Sequence, residues 1–141
     1  MSTASVVYRS HTGTTRRLAE EIAGHLRTRG IEASAVSVGE VDVRSLADVD
    51  FLLLGCWTNG LFVIAQHPDE PWLAFARDLP ALDHPRVGLF TTYKLVTGSM
   101  FPKMREALAG KVGRTDLELK SRNGHLSAEG RQTLDRFVGV A

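Results

Sequence analysis

Short apolar runs alternate along this chain with segments in which apolar residues recur every three or four positions. A short apolar run is typical of a buried strand, and the wider spacing is typical of a helix with one apolar face. The runs predict strands at residues 6–8, 31–38, 51–54, 86–91 and 117–120. The helical spacing predicts helices at residues 18–26, 43–47, 70–79, 100–108 and 127–138, the last one capped by Ser127.

This alternation of strand and helix predicts an α/β fold. Right-handed connections between successive strands give a three-layer, doubly wound, five-stranded parallel sheet. Residues 51–54 form a continuous apolar run, which suits a central strand buried on both faces. The chain of 141 residues is too short for two ordinary domains, so residues 1–141 are predicted to form a single domain. Such sheets bind ligands beyond the carboxyl ends of their strands.

Composition and charge exclude several classes of partner. The net charge of +1 lacks the basic excess that binding to a phosphate backbone needs, so we expect no nucleic acid partner. No apolar run approaches the roughly 20 residues of a membrane span, so we expect no membrane partner. Cys56 is the only cysteine, which excludes an internal disulfide and argues against a structural metal site. We therefore expect a cytoplasmic protein.

A hydroxyl-rich loop follows the first predicted strand and reads Ser10-His11-Thr12-Gly13-Thr14-Thr15. It leads into a helix, where free backbone N–H groups and the helix dipole favour an anion. The loop has neither the lysine of a Walker motif nor the GxGxxG of a dinucleotide site, which leaves a terminal monophosphate as the ligand. The alternative is an ordinary capping turn that is rich in serine and threonine.

The pattern Ser10-x-Thr12-Gly13-x-Thr15 resembles the phosphate loop of the flavodoxin family. In that family the loop holds the 5′-phosphate of FMN, and the sheet order is 2-1-3-4-5. The resemblance covers nearly the whole chain, and it implies a flavin that lies over the ends of the first, third and fourth strands. It also implies non-covalent FMN and electron transfer between a redox protein partner that acts as reductase and an acceptor.

The second loop that this resemblance implies at the flavin contains Cys56, Trp57, Thr58, Asn59 and Gly60. Trp57 can stack on the flat ring, and the alternative is that it packs at the strand end. Asn59-Gly60 predicts a turn, and the resemblance implies that this peptide can turn its carbonyl toward the flavin and favour the one-electron reduced form. Many flavodoxins instead carry the loop aromatic nearer the glycine, at the position of Asn59.

The third such loop supplies Thr91, Thr92, Tyr93, Lys94 and Gly98. The resemblance implies that Tyr93 stacks on the outer face of the flavin and that Thr92 meets its pyrimidine edge. The family usually has acidic and glycine residues here, whereas this chain has Lys94. A lysine near the reduced ring would stabilise its negative charge and raise the reduction potential.

Two other functions are excluded by missing residues. Cys56 lacks the arginine that a thiol phosphatase needs a few residues later, so it is interpreted as a small buried hydrophobe. A phosphorylated receiver domain needs an aspartate at the end of the third strand, and Gly55 and Cys56 stand there instead.

The sequence thus predicts an FMN-binding electron carrier with no catalytic side chain. Two alternatives stay open, a small FMN-dependent NAD(P)H or quinone-type oxidoreductase and a flavin-free interaction module. The apolar segment 61–71 either covers the ligand, faces a partner or packs beneath a helix. Basic residues near the expected site predict an acidic partner, and they are Arg16, Arg17, Lys94, Lys103 and Arg105.

Overall fold

A computed structural model describes the backbone of residues 1–61 and 64–140 and the side chains of residues 1–59 and 66–140. The elements in chain order are β1 (Thr3–Arg9), α1 (Thr14–Thr28), β2 (Glu32–Ser37), a short 3-10 helix (Val43–Ala47), β3 (Phe51–Trp57), β4 (Asn59–Leu61), β5 (Ile64–His67), α2 (Glu70–Asp78), β6 (Arg86–Thr92), α3 (Met100–Ala107), β7 (Thr115–Ser121) and α4 (Ala128–Val138).

Five parallel strands form the main sheet in the order β2-β1-β3-β6-β7. If only these strands are counted, the order is 2-1-3-4-5, so the predicted three-layer doubly wound sheet is confirmed. The chain moves to opposite sides of β1 to form β2 and then β3. The switch point therefore lies between the carboxyl ends of β1 and β3, which is where such sheets place a ligand.

Two hydrophobic clusters cover the two faces of the sheet. One contains apolar side chains of α1 and α4, such as Leu18 and Phe137, and the other contains side chains of α2 and α3, such as Trp72 and Met104. Leu53 belongs to the first cluster, whereas Leu52 and Leu54 belong to the second, and all three are fully buried. The prediction that this run is a central strand buried on both faces is confirmed.

The ring of Phe90 in β6 leaves no room for a side chain at Gly55 in β3. A β-carbon there would come within 2.1 Å of Phe90 Cε2, so the ring of Phe90 fills the space that the glycine leaves. Since Gly55 pairs with Phe90 in the register of the two strands, this contact fixes the strand ends that lead into the second and third predicted loops.

The turn predicted at Asn59-Gly60 is wrong. Asn59 lies in β4 and pairs with His67 in an antiparallel two-stranded sheet with β5. Local turn propensity is weak compared with the backbone hydrogen bonds that a paired strand gains, so the strand extends through this dipeptide. Segment 61–71 thus contains β5 and the start of α2, and its residues 62–63 lie outside the described residues.

Capping residues fix two of the helix starts. Asp69 accepts a hydrogen bond from the backbone N–H of Trp72 at the start of α2, at 3.2 Å. Ser127 accepts one from the N–H of Gly130 at 3.0 Å, so its predicted role as the cap of α4 is confirmed. Within residues 1–61 and 64–140, no helix combines the length and apolar character needed to cross a bilayer. The same residues contain no group of three or more His, Cys, Asp or Glu able to hold a metal ion.

Candidate cofactor site

A cavity of about 450 Å³ lies at the carboxyl ends of the parallel strands. Nine of the residues that the sequence assigned to the site line it, namely His11, Thr12, Thr14, Thr15, Trp57, Thr58, Thr92, Tyr93 and Lys94. Four further lining residues were missed by sequence reasoning, and they are Gln66, Leu95, Val96 and Arg122. The three predicted loops therefore do meet around one cavity.

The loop before α1 presents unpaired backbone donors. Gly13 has φ +95°, a left-handed conformation that turns the chain into the helix, and Ser10 Oγ accepts hydrogen bonds from the N–H groups of Gly13 (3.0 Å) and Arg16 (3.3 Å). No acceptor within the described chain bonds the N–H groups of Thr12, Thr14 or Thr15. Since the positive end of the helix dipole adds to these donors, the loop favours an anion.

Contacts on two sides hold this loop against its neighbours. The hydroxyls of Thr15 and Thr92 lie 2.6 Å apart, so they join the start of α1 to the end of β6. On the other side, a β-carbon at Gly124 would lie 2.6 Å from the carbonyl oxygen of Thr14, and Arg17 Nη1 donates to the carbonyl of Asn123 at 3.1 Å. The loop after β7 thus supports the helix start at close range.

Trp57 is held on its edge and on its face. The indole Nε1 donates to Asp69 Oδ2 at 2.7 Å, and the ring stacks on that of His11 with centroids 4.6 Å apart. The half-buried indole packs against the core, as the alternative interpretation of Trp57 expects, and it also lines the cavity. Its stacking on a flavin ring stays a prediction. Asp69 also accepts from Arg9 Nε at 2.8 Å, which provides a counter-charge for the buried carboxylate.

The side chain of Cys56 is fully buried, which confirms the interpretation of this residue as a small buried hydrophobe. Its thiol donates to Asp69 Oδ1 at 3.7 Å, and burial raises the pKa of the thiol well above its usual range. Its carbonyl accepts a 2.6 Å hydrogen bond from the hydroxyl of Thr91, which also lies 2.9 Å from the hydroxyl of Thr58. Cys56 and Thr91 therefore tie β3 to β6 beneath the cavity.

The third loop forms the outer wall. Tyr93 is half-buried, with Lys120 Nζ 5.7 Å and the guanidinium carbon of Arg122 5.5 Å from the centre of its ring. Lys94 is exposed, and no carboxylate of the described residues pairs with it. The wall therefore combines an aromatic ring with positive charge.

Two of the missed residues, Leu95 and Val96, lie within the third predicted loop, whereas Gln66 and Arg122 come from segments next to the predicted loops. Gly98 has φ +50°, and a β-carbon there would lie 2.3 Å from Oε1 of Gln66 in β5. The third loop therefore lies directly against the hairpin that β4 and β5 form. Ser99 Oγ strengthens this contact by donating to the carbonyl of Gln66 at 2.8 Å. Arg122 follows β7, which neighbours β6 in the sheet. The predicted strand order would therefore have been enough to place Arg122 beside the third loop.

The remaining predicted residues lie beside the cavity. Ser10 and Gly13 shape the first loop, Asn59 pairs with His67 in the hairpin, Gly60 lies in β4, and Gly98 precedes α3. These residues shape the backbone path of the three loops.

Comparison with known proteins identifies the family. A family model described as flavodoxin matches residues 6–120. The flavodoxin of Clostridium beijerinckii is 29% identical over 106 residues, which cover 74% of this chain and 75% of that protein. The flavodoxin of Megasphaera elsdenii is 35% identical over 89 residues, or 62% of this chain and 63% of that protein.

Solved structures agree on the fold. The solution structure of the two-electron reduced M. elsdenii flavodoxin superposes with a TM-score of 0.75, covers 97% of this chain and 99% of that chain, and is 20% identical. The matching family model spans the first three loops of the cavity as well as most of the sheet. The chain therefore belongs to the flavodoxin family of FMN-binding electron-transfer proteins.

Proposed function

We propose that FMN occupies the cavity at the carboxyl edge of the sheet and that the protein carries electrons between a reductase and an acceptor protein. One observation supports this most directly: a loop with unbonded N–H donors borders a cavity that has aromatic walls. A volume of about 450 Å³ lies within the range of small-molecule sites. These residues fit a ligand with one anionic end and one flat apolar end.

The first loop is proposed to hold the phosphate. Its donors are the N–H groups of Thr12, Thr14 and Thr15, together with the hydroxyls of Thr12 and Thr14, which lie 3.4 Å apart. Hydrogen bonds to a charged group contribute roughly 1.5 to 3 kcal/mol each, so several of them hold a phosphate without a lysine. The hydroxyl of Thr15 takes a supporting role, because it already pairs with that of Thr92.

The walls of the cavity are proposed to hold the ring. His11 and Trp57 lie on one side, and Tyr93, Leu95 and Val96 come from the third loop. Apolar and aromatic surface excludes water and stabilises a stacked ring by about 0.5 to 1.5 kcal/mol per aromatic pair beyond its area burial. FMN supplies the electron chemistry when it is bound, and these side chains orient it and limit its exposure.

Positive charge at the rim is proposed to tune the reduction potential. Lys94 and Arg122 both line the cavity and have no carboxylate partner within the described residues. A unit charge about 4 Å from a developing negative charge stabilises it by about 1 kcal/mol in water and by more where water is partly excluded. The two cations therefore favour the reduced, negatively charged state.

The first test is a visible absorption spectrum of the protein after incubation with FMN and removal of the excess. Retained flavin bands that convert stepwise under anaerobic reduction support the proposal, and their absence would contradict it. NAD(P)H added without a reductase is expected to leave the flavin oxidised. Steady NAD(P)H oxidation in the presence of a quinone would instead favour the oxidoreductase alternative.

A second test compares FMN with riboflavin, which has the same ring and no phosphate. Thr12→Val is expected to weaken the binding of FMN about tenfold, because one hydrogen bond to a charged group is lost, and to leave riboflavin binding unchanged. Thr115→Val at the opposite end of the sheet is the matched control. Equal affinity of the wild-type protein for both flavins would contradict the assignment of the phosphate loop.

The compartment is also a proposal. The single cysteine is buried and forms no disulfide, which suits a reducing environment and supports the cytoplasm as the location.

A further inference from the structure

The loops around the cavity carry no acidic residue. Residues 10–15, 56–68, 91–99 and 120–127 contain neither aspartate nor glutamate, whereas they contain Lys94, Lys120 and Arg122. These four segments follow the carboxyl ends of β1, β3, β6 and β7, so their charge collects at one edge of the sheet. The mouth of the cavity is therefore positive although the whole chain has a net charge of only +1.

The three cations at this edge are also unpaired. No carboxylate of the described residues lies within ion-pair distance of Lys94, Lys120 or Arg122. Two of the basic residues that the sequence had suggested for partner binding differ in this respect, because Arg16 pairs with Glu20 and Arg105 pairs with Glu118. Arg17 and Lys103 have no carboxylate of the described residues within ion-pair distance. The structure thus pairs one basic residue in each of α1 and α3, and it adds Lys120 and Arg122 to the unpaired charge near the cavity.

An exposed apolar tip lies among these charges. Leu95 is 56% exposed and Val96 is 37% exposed, and apart from Met1 they are the only large hydrophobic residues of the described chain with exposed side chains. Both also line the cavity, so the tip borders the proposed position of the flavin. Exposed apolar side chains ringed by polar groups are typical of a protein interaction site.

A second depression, of about 310 Å³, continues the positive surface beyond Tyr93. Tyr93 and Arg122 line both it and the main cavity, and Lys120 lines the second depression alone. The ring of Tyr93 holds the two cations near its face, at 5.7 Å for Lys120 and 5.5 Å for Arg122. The charges are thereby kept together at the edge of the cavity instead of being dispersed.

We infer that Tyr93, Lys94, Leu95, Val96, Lys120 and Arg122, here named the basic rim, form the docking surface for an acidic redox protein. This inference rests on the proposed electron-carrier function. A partner that fits presents carboxylates around an apolar patch beside its own redox centre. Complementary charge speeds the encounter of the two proteins, and the apolar tip provides the dry contact between them.

The test uses two forms of one electron acceptor that differ in charge. Cytochrome c with succinylated lysines is the acidic probe, and unmodified cytochrome c is the basic one. In stopped flow, the FMN-loaded protein is reduced and mixed with either ferric probe. One reduced flavin, FMNH⁻, is oxidised to FMN with release of one proton to solvent, and its two electrons reduce two ferric haems to the ferrous form.

The expected result is a strong dependence on salt for the acidic probe only. Raising the salt from about 20 mM to about 500 mM is expected to slow reduction of the succinylated probe about tenfold and to speed or leave unchanged reduction of the unmodified one. Salt dependence of the opposite sign would overturn the inference and favour a basic partner. Equal rates that do not respond to salt would also overturn it.

Lys120→Glu provides the matched variant, because Lys120 belongs to the basic rim without lining the main cavity. It is expected to slow the acidic probe three- to tenfold at low salt. Arg136→Glu makes the same charge change in the last turn of α4, at the opposite edge of the sheet, and is expected to have little effect. If both variants slow the acidic probe equally, the slowing reflects net charge alone, and this result would overturn the inference that the basic rim is the docking surface.

Two further measurements separate docking from cofactor binding. Retained flavin absorbance and an unchanged rate with benzoquinone, a small neutral acceptor, are expected for Lys120→Glu. Backbone amide shifts in the NMR spectrum, recorded with the oxidised protein and the oxidised acidic probe, are expected at residues 93–96 and 120–122. Loss of flavin from the wild-type protein would contradict the proposed function, whereas shifts elsewhere on the surface would contradict only the basic rim.

Discussion

The indole nitrogen of Trp57 donates a 2.7 Å hydrogen bond to Oδ2 of Asp69, the residue that also caps α2. The same carboxylate binds Arg9 at the end of β1. One buried acid thus joins the first strand, the third strand and the second helix directly behind the cavity. It fixes the edge of the indole whose ring stacks on His11, so the position of Trp57 depends on a residue outside the cavity.

Asp69→Ala is expected to lower the free energy of unfolding by about 2 to 4 kcal/mol, because it leaves Arg9 and the indole N–H without their acceptor. It is also expected to weaken FMN binding, since Trp57 is no longer held at the cavity wall. Urea unfolding and a flavin titration measure the two effects. Asp83→Asn, at an exposed acid for which no hydrogen bond is found, is the control. Unchanged flavin affinity would contradict the positioning role of Asp69.

The fold was predictable because its signals are local. The unbroken apolar run that contains Leu53 indicated a central strand, and the alternation of strand and helix then left few possible topologies. Ser127 was recognised as a cap because its acceptor role involves a residue only three positions away. Such features depend on short stretches of sequence, which is why most helix bounds were correct. The strand order 2-1-3-4-5, in contrast, was implied by the resemblance to the flavodoxin family.

The details of the site depended on contacts between distant residues. Asp69 lies 12 residues from Trp57 and 60 from Arg9, and no local pattern links these three. The turn predicted at Asn59-Gly60 failed for the same reason, because strand pairing with His67 decides the backbone path. Sequence reasoning therefore found the loops of the cavity but not the contacts that position their side chains.

Gly13→Ala is expected to destabilise the proposed phosphate loop. Gly13 has φ +95°, which costs a residue with a β-carbon roughly 1 to 2 kcal/mol. Nothing lies within 4 Å of the added β-carbon, so the variant is expected to fold and to bind FMN about tenfold more weakly. Gly113→Ala, at a glycine with equal space and no positive φ, is the matched control in the same titration. Equal FMN affinity of the two variants would refute this role of Gly13.

The Cys56 thiol is expected to resist chemical modification in the folded protein. Its side chain is fully buried, and burial raises its pKa, so almost no thiolate is present at neutral pH. An aromatic disulfide reagent should therefore react at the rate of unfolding in buffer and rapidly in concentrated urea. Ser2→Cys in a Cys56→Ala background places a thiol at an exposed position and reports the unhindered rate. Comparable rates for the two folded proteins would disprove the burial.

Acid is expected to destabilise the contact between α1 and α4 through Asp135. Its carboxylate lies 2.8 Å from His25 Nε2 and 2.9 Å from Arg29 Nε. The hydrogen bond from Arg29 is the main cause that lowers the pKa of Asp135 to about 2, and the bond with His25 adds to it. Because the folded state holds this proton less tightly than the unfolded chain, whose aspartates have pKa values near 3.9, Asp135 stabilises the fold above about pH 4. This contribution is lost as the pH falls through about 2.

Asp135→Asn tests this assignment, because an amide cannot titrate and accepts weaker hydrogen bonds from Arg29. The variant is expected to be less stable than the wild type at pH 7, and the difference is expected to shrink between about pH 4 and pH 2. Urea unfolding at several pH values measures this difference in stability. Asp83→Asn, which removes an exposed charge, is the control and shows how far a change in net charge alone alters the stability. A difference that stays constant over this range would mean that Asp135 has the same affinity for protons in the folded and unfolded chains, and the pKa assigned to it would be wrong.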